Sequence, residues 1–306
     1  MKITVVGSTN MDMVVKTTHL PAPGETVLGG SFFMNPGGKG ANQAVAAARL
    51  GGDVTFITKI GNDVFGKQSS QLFDDEGINI SCILADREQP SGVALITVDD
   101  NGENSIVVAS GANAALTPVD VSTCLNRIEK AEIMLLQLEI PMDTVELVAD
   151  YAAANNIRLV VNPAPANILS EDLLKNIHII TPNATEAEML TGVKVTDETS
   201  AEAAANVLHQ KGVTKVIITM GKAGALVFDG TEAKMVAAPK VTAVDTTAAG
   251  DVFNGALVVA LAEGQDLIKA VEFSCLAAAL SVTKLGAQSS IPYRNEIIIN
   301  RLQLNA

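Results

Sequence analysis

The sequence predicts an α/β protein with a mainly parallel sheet, and three observations carry that prediction. Short runs rich in β-branched residues alternate with helical patterns along most of the chain. Such alternation builds right-handed βαβ units and a parallel sheet covered by helices on both faces. Apolar residues make up 48% of the 306 positions and aromatic residues only 3%, a composition suited to buried aliphatic strands under Ala-rich helices. Two segments break the rhythm with paired extended runs, and these predict a small second sheet.

The first run, "ITVVG" from Ile3, reads as a buried strand. "VTFITKIG" from Val54, "EIMLLQL" from Glu132, "IRLVVNP" from Ile157, "IHIITPN" from Ile177 and "KVIITMG" from Lys215 read as further core strands. Between them, "GANQAVAAARLG", "MDTVELVADYAAANN" and "SAEAAANVLHQKG" have helical spacing. Residues ~11 to 35 hold "MDMVVKT" and "TVLGGSFFM" around a Pro/Gly turn. Residues ~92 to 110 hold "GVALITVDD", "NGEN" and "SIVVAS", a hairpin signal. Both are expected as antiparallel strands added to the core, forming a lid. "GDVFNGALVVALAEG" and "DLIKAVEFSCLAAALSVTKLG" are apolar on most faces and predict buried helices. With no repeat or long linker, one domain over residues 1–306 is expected, the lid strands being insertions.

Charge narrows the function. With 21 basic and 34 acidic residues the net charge is −13, which argues against nucleic acid as the main partner. A small phosphate ligand is not excluded. No uninterrupted apolar stretch reaches the ~18 residues of a membrane span, and "MKITVVGSTN" reads as a strand rather than a leader, so a cytoplasmic location is expected. Cys82, Cys124 and Cys275 are an odd number without CxxC spacing, the usage of a reduced compartment. His19, His178 and His209 have no metal-ligand spacing.

The chemistry concentrates in a few stretches. In "VDTTAAGDVFNGA", the small side chains of Ala248, Ala249 and Gly250 expose the first N–H groups of a helix to an anion. Asp251, in the first turn, is placed to take a proton from a hydroxyl attacking a bound phosphate. A plain helix start, capped by Thr246 or Thr247 with Asp251 complementing the dipole, accounts for the same residues about as well. In "NPGGKGANQAVAAA", Gly37, Gly38 and Gly40 permit close backbone approach, and Lys39 and Asn42 carry polar ends. This is not a Walker A loop, and "GNDVFGKQ" places Gln68 where a hydroxyl is needed for Mg²⁺. No dinucleotide fingerprint follows any strand.

In "TPNATEAEML", Asn183 and Glu186 share a helix face and could hold the water shell of Mg²⁺. A simple N-terminal cap is the commoner meaning of that spacing. "ITMGKAGAL" reads as a strand entering a Gly turn, or as a hairpin. Glu139 in "LLQLEIP" stands at the carboxyl end of a strand, where open α/β sheets place ligands.

Together these stretches resemble the ribokinase branch of the PfkB carbohydrate kinase family over essentially the whole chain. "GGKGANQAVAAARLG" is similar to its N-terminal signature and "DTTAAGDVFNGAL" to its C-terminal one. The resemblance implies a three-layer α/β/α core with a mainly parallel sheet and a small β-sheet lid. It implies transfer of the ATP γ-phosphoryl group to the 5-hydroxyl of a pentose, with Asp251 as base and Ala248, Ala249 and Gly250 as anion hole. Asn10, Asp12, Gly38, Lys39, Asn42 and Glu139 become sugar positions. Asn183, Thr219, Gly221, Gly224, Gly250 and Cys275 become nucleotide positions, with Glu186 near Mg²⁺ through water. A monovalent cation, K⁺, is implied at Asp245, Thr247, Ser281, Lys284, Gly286 and Ser290, largely through carbonyl oxygens.

Three positions depart from the family pattern: Val252 stands where Thr is usual, Cys275 where Asn is often found, and Pro36 where a bulkier residue is common. The resemblance also implies a homodimer through the lid, where Met11, Met13, Phe32 and Met34 supply apolar side chains that could equally pack onto the core. D-ribose is the expected acceptor and 2-deoxyribose the nearest alternative. A catalytically silent sugar-binding regulator and a nicotinamide oxidoreductase are rivals of other classes. Intact Asp251, Gly250 and Glu186 argue against the first, and the missing fingerprint against the second.

Overall fold

A computed structural model describes residues 2–304. The chain opens with β1 (Lys2–Val6), β2 (Asn10–Lys16), β3 (Phe32–Gly37), α1 (Lys39–Arg49), β4 (Asp53–Gly61), α2 (Val64–Asp75) and β5 (Ile83–Asp86). There follow β6 (Gly92–Val98), β7 (Asn104–Ala109), α3 (Pro118–Leu125), β8 (Ile133–Leu136), α4 (Met142–Ala154), β9 (Arg158–Val161), α5 (Glu171–Asn176) and β10 (Ile179–Ile180). The remainder is α6 (Ala184–Thr191), α7 (Glu198–Gln210), β11 (Lys215–Thr219), β12 (Ala225–Phe228), β13 (Ala233–Val236), α8 (Ala249–Ala262), α9 (Leu267–Ser281) and α10 (Arg294–Leu304).

Nine strands form the main sheet in the order β13-β12-β11-β10-β9-β8-β1-β4-β5. From β11 to β5 every pair is parallel, and β12 and β13 close one edge antiparallel. The period of two along each strand sends alternate side chains to opposite faces. Ile133 and Leu135 therefore join α1, α8 and α9 in one apolar cluster, while Met134 and Leu136 join α4 and α7 in another. Two cores on the two sides of one sheet make the three layers. All six expected core strands and both expected C-terminal helices are present.

The second sheet has the order β3-β2-β6-β7. As expected, β2 pairs antiparallel with β3, and β6 with β7. The joint between β2 and β6 is parallel instead, with Asn10 opposite Gly92 and Lys16 opposite Val98. Both strands leave the core in the same outward direction, so they run together. The expected strand "TVLGGSFFM" is shortened, since β3 begins only at Phe32. Gly29 and Gly30 ahead of it adopt φ of 107° and 98°, left-handed values that break an extended ladder.

Candidate active site

The expected site residues gather beyond the carboxyl ends of the parallel strands. Residues 8–10 follow β1, Glu139 follows β8, Asn183 follows β10 and Thr219 ends β11. The order reverses at β1, which lies between β8 and β4, and such a switch point opens a crevice. There the Ser8 hydroxyl donates to the Glu139 carboxylate, which also accepts the Lys39 N–H at 3.0 Å. Gly38 (φ 91°) leads into α1, and a Cβ on Gly40 would lie 2.5 Å from the Ser8 nitrogen. Only a bare backbone lets the two segments meet so closely. Asp12 reaches in from β2, and a Cβ on Gly37 would lie 2.3 Å from its carboxylate.

Asp251 sits in the first turn of α8 and is 7% exposed. One carboxylate oxygen accepts from Asn42 Nδ2 at 3.0 Å and the other from Gln43 Nε2 at 2.9 Å. Burial holds its carboxyl above the ordinary value, against the Lys39 ammonium and the two amides, with Glu139 adding to the rise. Burial, then Glu139 and Asp251, push Asp12 up to about 6 despite Lys39. Burial works to lower Lys39, but Asp251, Glu139, Glu186 and Asp12 together hold its ammonium above the usual value. One lysine thus balances four carboxylates.

The turn before α8 is unusual in its backbone. Ala248 lies at φ 59° and ψ 8°, a left-handed conformation unusual for a residue with a Cβ. It turns the following N–H groups outward, and those of Gly250 and Asp251 donate to nothing among the described residues. No atom lies within 4 Å of the place a Gly250 Cβ would take. No side-chain bond from Thr246 or Thr247 caps the helix; the Thr247 hydroxyl is bound to Asp245 at 2.6 Å instead. The expected threonine cap is therefore absent, while Asp251 does stand in the first turn.

A cavity of about 720 Å³ begins at Gly250 and extends over Thr219, Gly221 and Gly224 to Cys275. "ITMGKAGAL" is indeed a hairpin, β11 pairing antiparallel with β12, and its turn forms one wall. Burial, with Glu272 adding to it, pushes the Cys275 thiol up to about 12, so it lines the cavity as a neutral group.

The pfkB family carbohydrate kinase pattern matches residues 1–294. The chain belongs to the pfkB family of carbohydrate kinases. A ribokinase of Haemophilus influenzae is 49% identical over 296 residues, covering 97% of each chain. A deoxyribokinase of Salmonella typhi is 38% identical over 95% of this chain and 96% of its own. The Arabidopsis thaliana ribokinase structure complexed with ribose and ATP aligns with a TM-score of 0.90 at 31% identity, covering 97% of both chains.

For this pfkB kinase, the residues present fit the two cations the family implies. Asn183 and Glu186 form a capping box, with bonds of 2.9 and 2.8 Å between each backbone N–H and the other's side chain. The cap uses one Glu186 oxygen and leaves the other outside it. Burial holds this carboxyl above its ordinary value, opposed by the Asn183 N–H and Lys39, with Asp251 adding to the rise. Among the described residues no cluster of three or more His, Cys, Asp or Glu could hold a metal. One carboxylate acting through water suits Mg²⁺, which keeps most of its own waters.

At the other site, Asp245 accepts from the Thr247 N–H at 2.9 Å and the Gly286 N–H at 2.9 Å, tying two loops together. The carbonyl oxygens of Asp245, Thr247, Lys284 and Gly286 accept no hydrogen bond among the described residues. The Ser281 and Ser290 hydroxyls donate to Ala278 and Ala287 carbonyls, leaving their lone pairs free. The Lys284 ammonium turns away to Glu296 at 2.6 Å. An all-oxygen set of this kind suits a hard cation such as K⁺.

Several residues of the pfkB site were not singled out in the sequence. Gln43, Gln137 and Asn162 lie buried behind Asp251, and Asn113 lies behind Asn10. The one signal available for Gln43 was a pair of adjacent amides, Asn42 and Gln43, inside a helical stretch from Ala41 to Ala48 otherwise built of Ala and Val.

Proposed function

We propose that this chain is an ATP-dependent ribokinase, converting D-ribose and ATP to D-ribose 5-phosphate and ADP. The observation that carries the reading is the pairing of the buried Asp251 carboxylate with the open Gly250 and Asp251 N–H groups in the same first turn of α8. Asp251 takes the proton of the 5-hydroxyl as its oxygen attacks the γ-phosphorus, and the bond to the departing ADP breaks. The outward N–H groups receive the charge gathering on the transferred phosphoryl oxygens. Asn10, Asp12, Lys39, Asn42 and Glu139 hold the sugar hydroxyls. Thr219, Gly221, Gly224 and Cys275 wall the nucleotide.

Mg²⁺, held through water by Glu186, would neutralise phosphate charge. K⁺, between the Asp245 loop and the 281–290 loop, would stiffen the turn carrying the anion hole. On the lid face opposite Asp12, Met13, Met34, Leu95 and Val107 form one row across the four strands. Leu95 and Val107 are 52% and 64% exposed, and Phe32, two residues before Met34, is 59% exposed. This face supports a homodimer through the lid, whereas Met11 on the same strand is buried at 4%. No helix among the described residues is long and apolar enough to cross a membrane, which fits a cytoplasmic enzyme.

The test is ATP-dependent phosphorylation of D-ribose with Mg²⁺, in K⁺ and then Na⁺ buffer, beside 2-deoxyribose. Ribose turnover that rises with K⁺ supports the reading. The second reading, a 2-deoxyribose kinase, is favoured by the deoxyribokinase relative. It replaces the first if 2-deoxyribose has the higher kcat/KM.

A further inference from the structure

Behind the carboxylate of Asp251 runs a chain of buried side-chain amides that the reaction as described does not use. Gln137 Nε2 donates to Gln43 Oε1. Gln43 Nε2 donates both to Asp251 Oδ1 at 2.9 Å and to Asn162 Oδ1 at 3.0 Å. Asn162 Nδ2 donates onward to the Thr181 carbonyl at 3.3 Å. The Thr181 hydroxyl donates to Asn254 Oδ1 at 2.7 Å, and Asn254 Nδ2 to the Gly250 carbonyl at 2.8 Å. Gln43 and Gln137 are both 0% exposed.

The chain has a direction. Because Gln43 Oε1 takes the Gln137 N–H, the Gln43 NH₂ group must face Asp251 and Asn162, and both its hydrogens are spent there. An amide locked this way presents a donor to the carboxylate at all times. Buried polar groups cost free energy unless bonded. Four amides at the sheet–helix boundary, where Ala and Val would pack, therefore call for a role beyond filling space. The other end of the chain grips the carbonyl of Gly250, so one network reaches both the proton acceptor and the turn that receives the phosphoryl group.

We propose that Gln43, held by Gln137, is a positioning residue that fixes the Asp251 carboxylate and sets its basicity for proton transfer from the sugar. The proposal rests on the kinase reading above, with Asp251 as base. Gln43 touches neither sugar nor phosphate and acts only through Asp251. Its N–H favours the ionised carboxylate, partly offsetting burial. The charged groups facing Asp251 are Lys39 from α1, Glu139 after β8, Asp12 from β2 and Glu186 from α6. None of them changes when Gln43 is replaced.

The experiment follows the Asp251 titration directly, by ¹³C NMR of Asp-labelled protein, with Asp251→Asn identifying the signal. In Gln43→Met, which keeps the length but loses the donor, the Asp251 midpoint should rise by about one pH unit. The acid limb of kcat/KM for ribose should move up with it, kcat should fall by about tenfold, and KM for ATP should stay within about twofold. Gln137→Met, which leaves Gln43 in place but free to turn, should shift the midpoint in the same direction by less. A midpoint unchanged in folded Gln43→Met overturns the proposal, as does a fall in kcat that tracks lost thermal stability without a moved limb. If Gln43→Met does not fold, an unchanged midpoint in Gln137→Met overturns it equally. Absence of ribose turnover by the wild-type protein would defeat the kinase reading instead, and the NMR titration would still decide what Gln43 does to Asp251.

Discussion

Asn113 holds Asn10 across the root of the lid, its Nδ2 lying 2.7 Å from Asn10 Oδ1. The same side chain accepts the Thr9 N–H at 2.8 Å and donates to the Thr9 carbonyl at 3.1 Å. Asn113 follows β7 and Asn10 starts β2, so a residue at the end of the lid orients one at its beginning. With its oxygen occupied, Asn10 has its NH₂ left to offer a ligand. Replacing Asn113 by Leu should raise KM for the sugar by about tenfold, the worth of one good hydrogen bond. KM for ATP should hardly change, and steady-state kinetics with each substrate varied in turn would check both.

Asp251→Asn preserves shape and removes the proton acceptor. Turnover should fall by about 10²- to 10⁴-fold, the usual contribution of a positioned base, while KM for ATP stays near its wild-type value. A coupled assay for ADP release measures the loss. Residual turnover above a tenth of wild type would contradict the assigned role.

The lifted Asp12 carboxyl gives a pH signature. Its value rises from 3.8 to about 6, so acid of moderate strength protonates it and removes an acceptor for sugar hydroxyls. KM for the sugar should therefore climb as pH falls through about 6, and Asp12→Asn should abolish that inflection. Stability runs in the opposite sense. Between 3.8 and about 6 the folded chain holds a proton that the unfolded chain has released, so this group lowers stability as pH rises across that window. Asp12→Asn should accordingly have a higher Tm than wild type at neutral pH, measurable by calorimetry.

How much of this could be read beforehand depended on whether the signal was local. Ile3, Val54, Ile133 and Val160 announce buried strands through their own neighbours, and the Ala-Ala-Gly-Asp run announces an exposed helix start. The parallel joint of β2 and β6 had no such mark, because it pairs residues some eighty positions apart. Gln43 was equally silent. A glutamine in an Ala-rich helix has ordinary helix propensity, and only the arrival of Gln137 and Asn162 from β8 and β9 gives it work. The Asn183–Glu186 spacing was legible but ambiguous, and the fold makes it a cap whose acid also feels Lys39 and Asp251.

Ala248 should be sensitive to branching. At φ 59° a β-branched side chain is a steric outlier, so Ala248→Val should lower stability by about 1–3 kcal/mol and reduce kcat more than either KM. Ala248→Gly suits the conformation and should keep kcat within about threefold. Urea denaturation and kinetics on the pair would separate strain from chemistry.

Gly255 lies where α8 packs closely against α1. A Cβ there would lie 2.6 Å from Ala46 Cβ and 2.9 Å from both the Ala47 nitrogen and the Gln43 carbonyl. Alanine gains about 1 kcal/mol over glycine in helix propensity, but overpacking against backbone costs about 1–3 kcal/mol. The clash should win. Gly255→Ala should unfold at lower urea, and turnover should drop with it because α1, pressed by the new methyl, carries Gln43 and α8 carries Asp251.

The lid meets the core at four short junctions: Gly7 to Thr9, Gly38, Ser91 and Gly111. Asn10 and Asp12 lie on the first strand just past one of them, while Phe32 and Lys16 lie at the far end of the same sheet. Any rocking of the sheet therefore works as a lever with its fulcrum beside the crevice and its long arm in solvent. A sugar held by Asp12, as proposed above, would pull on the short arm, and a small displacement there would be magnified at the tip. Filling the crevice would in this way become visible at a surface some distance from it.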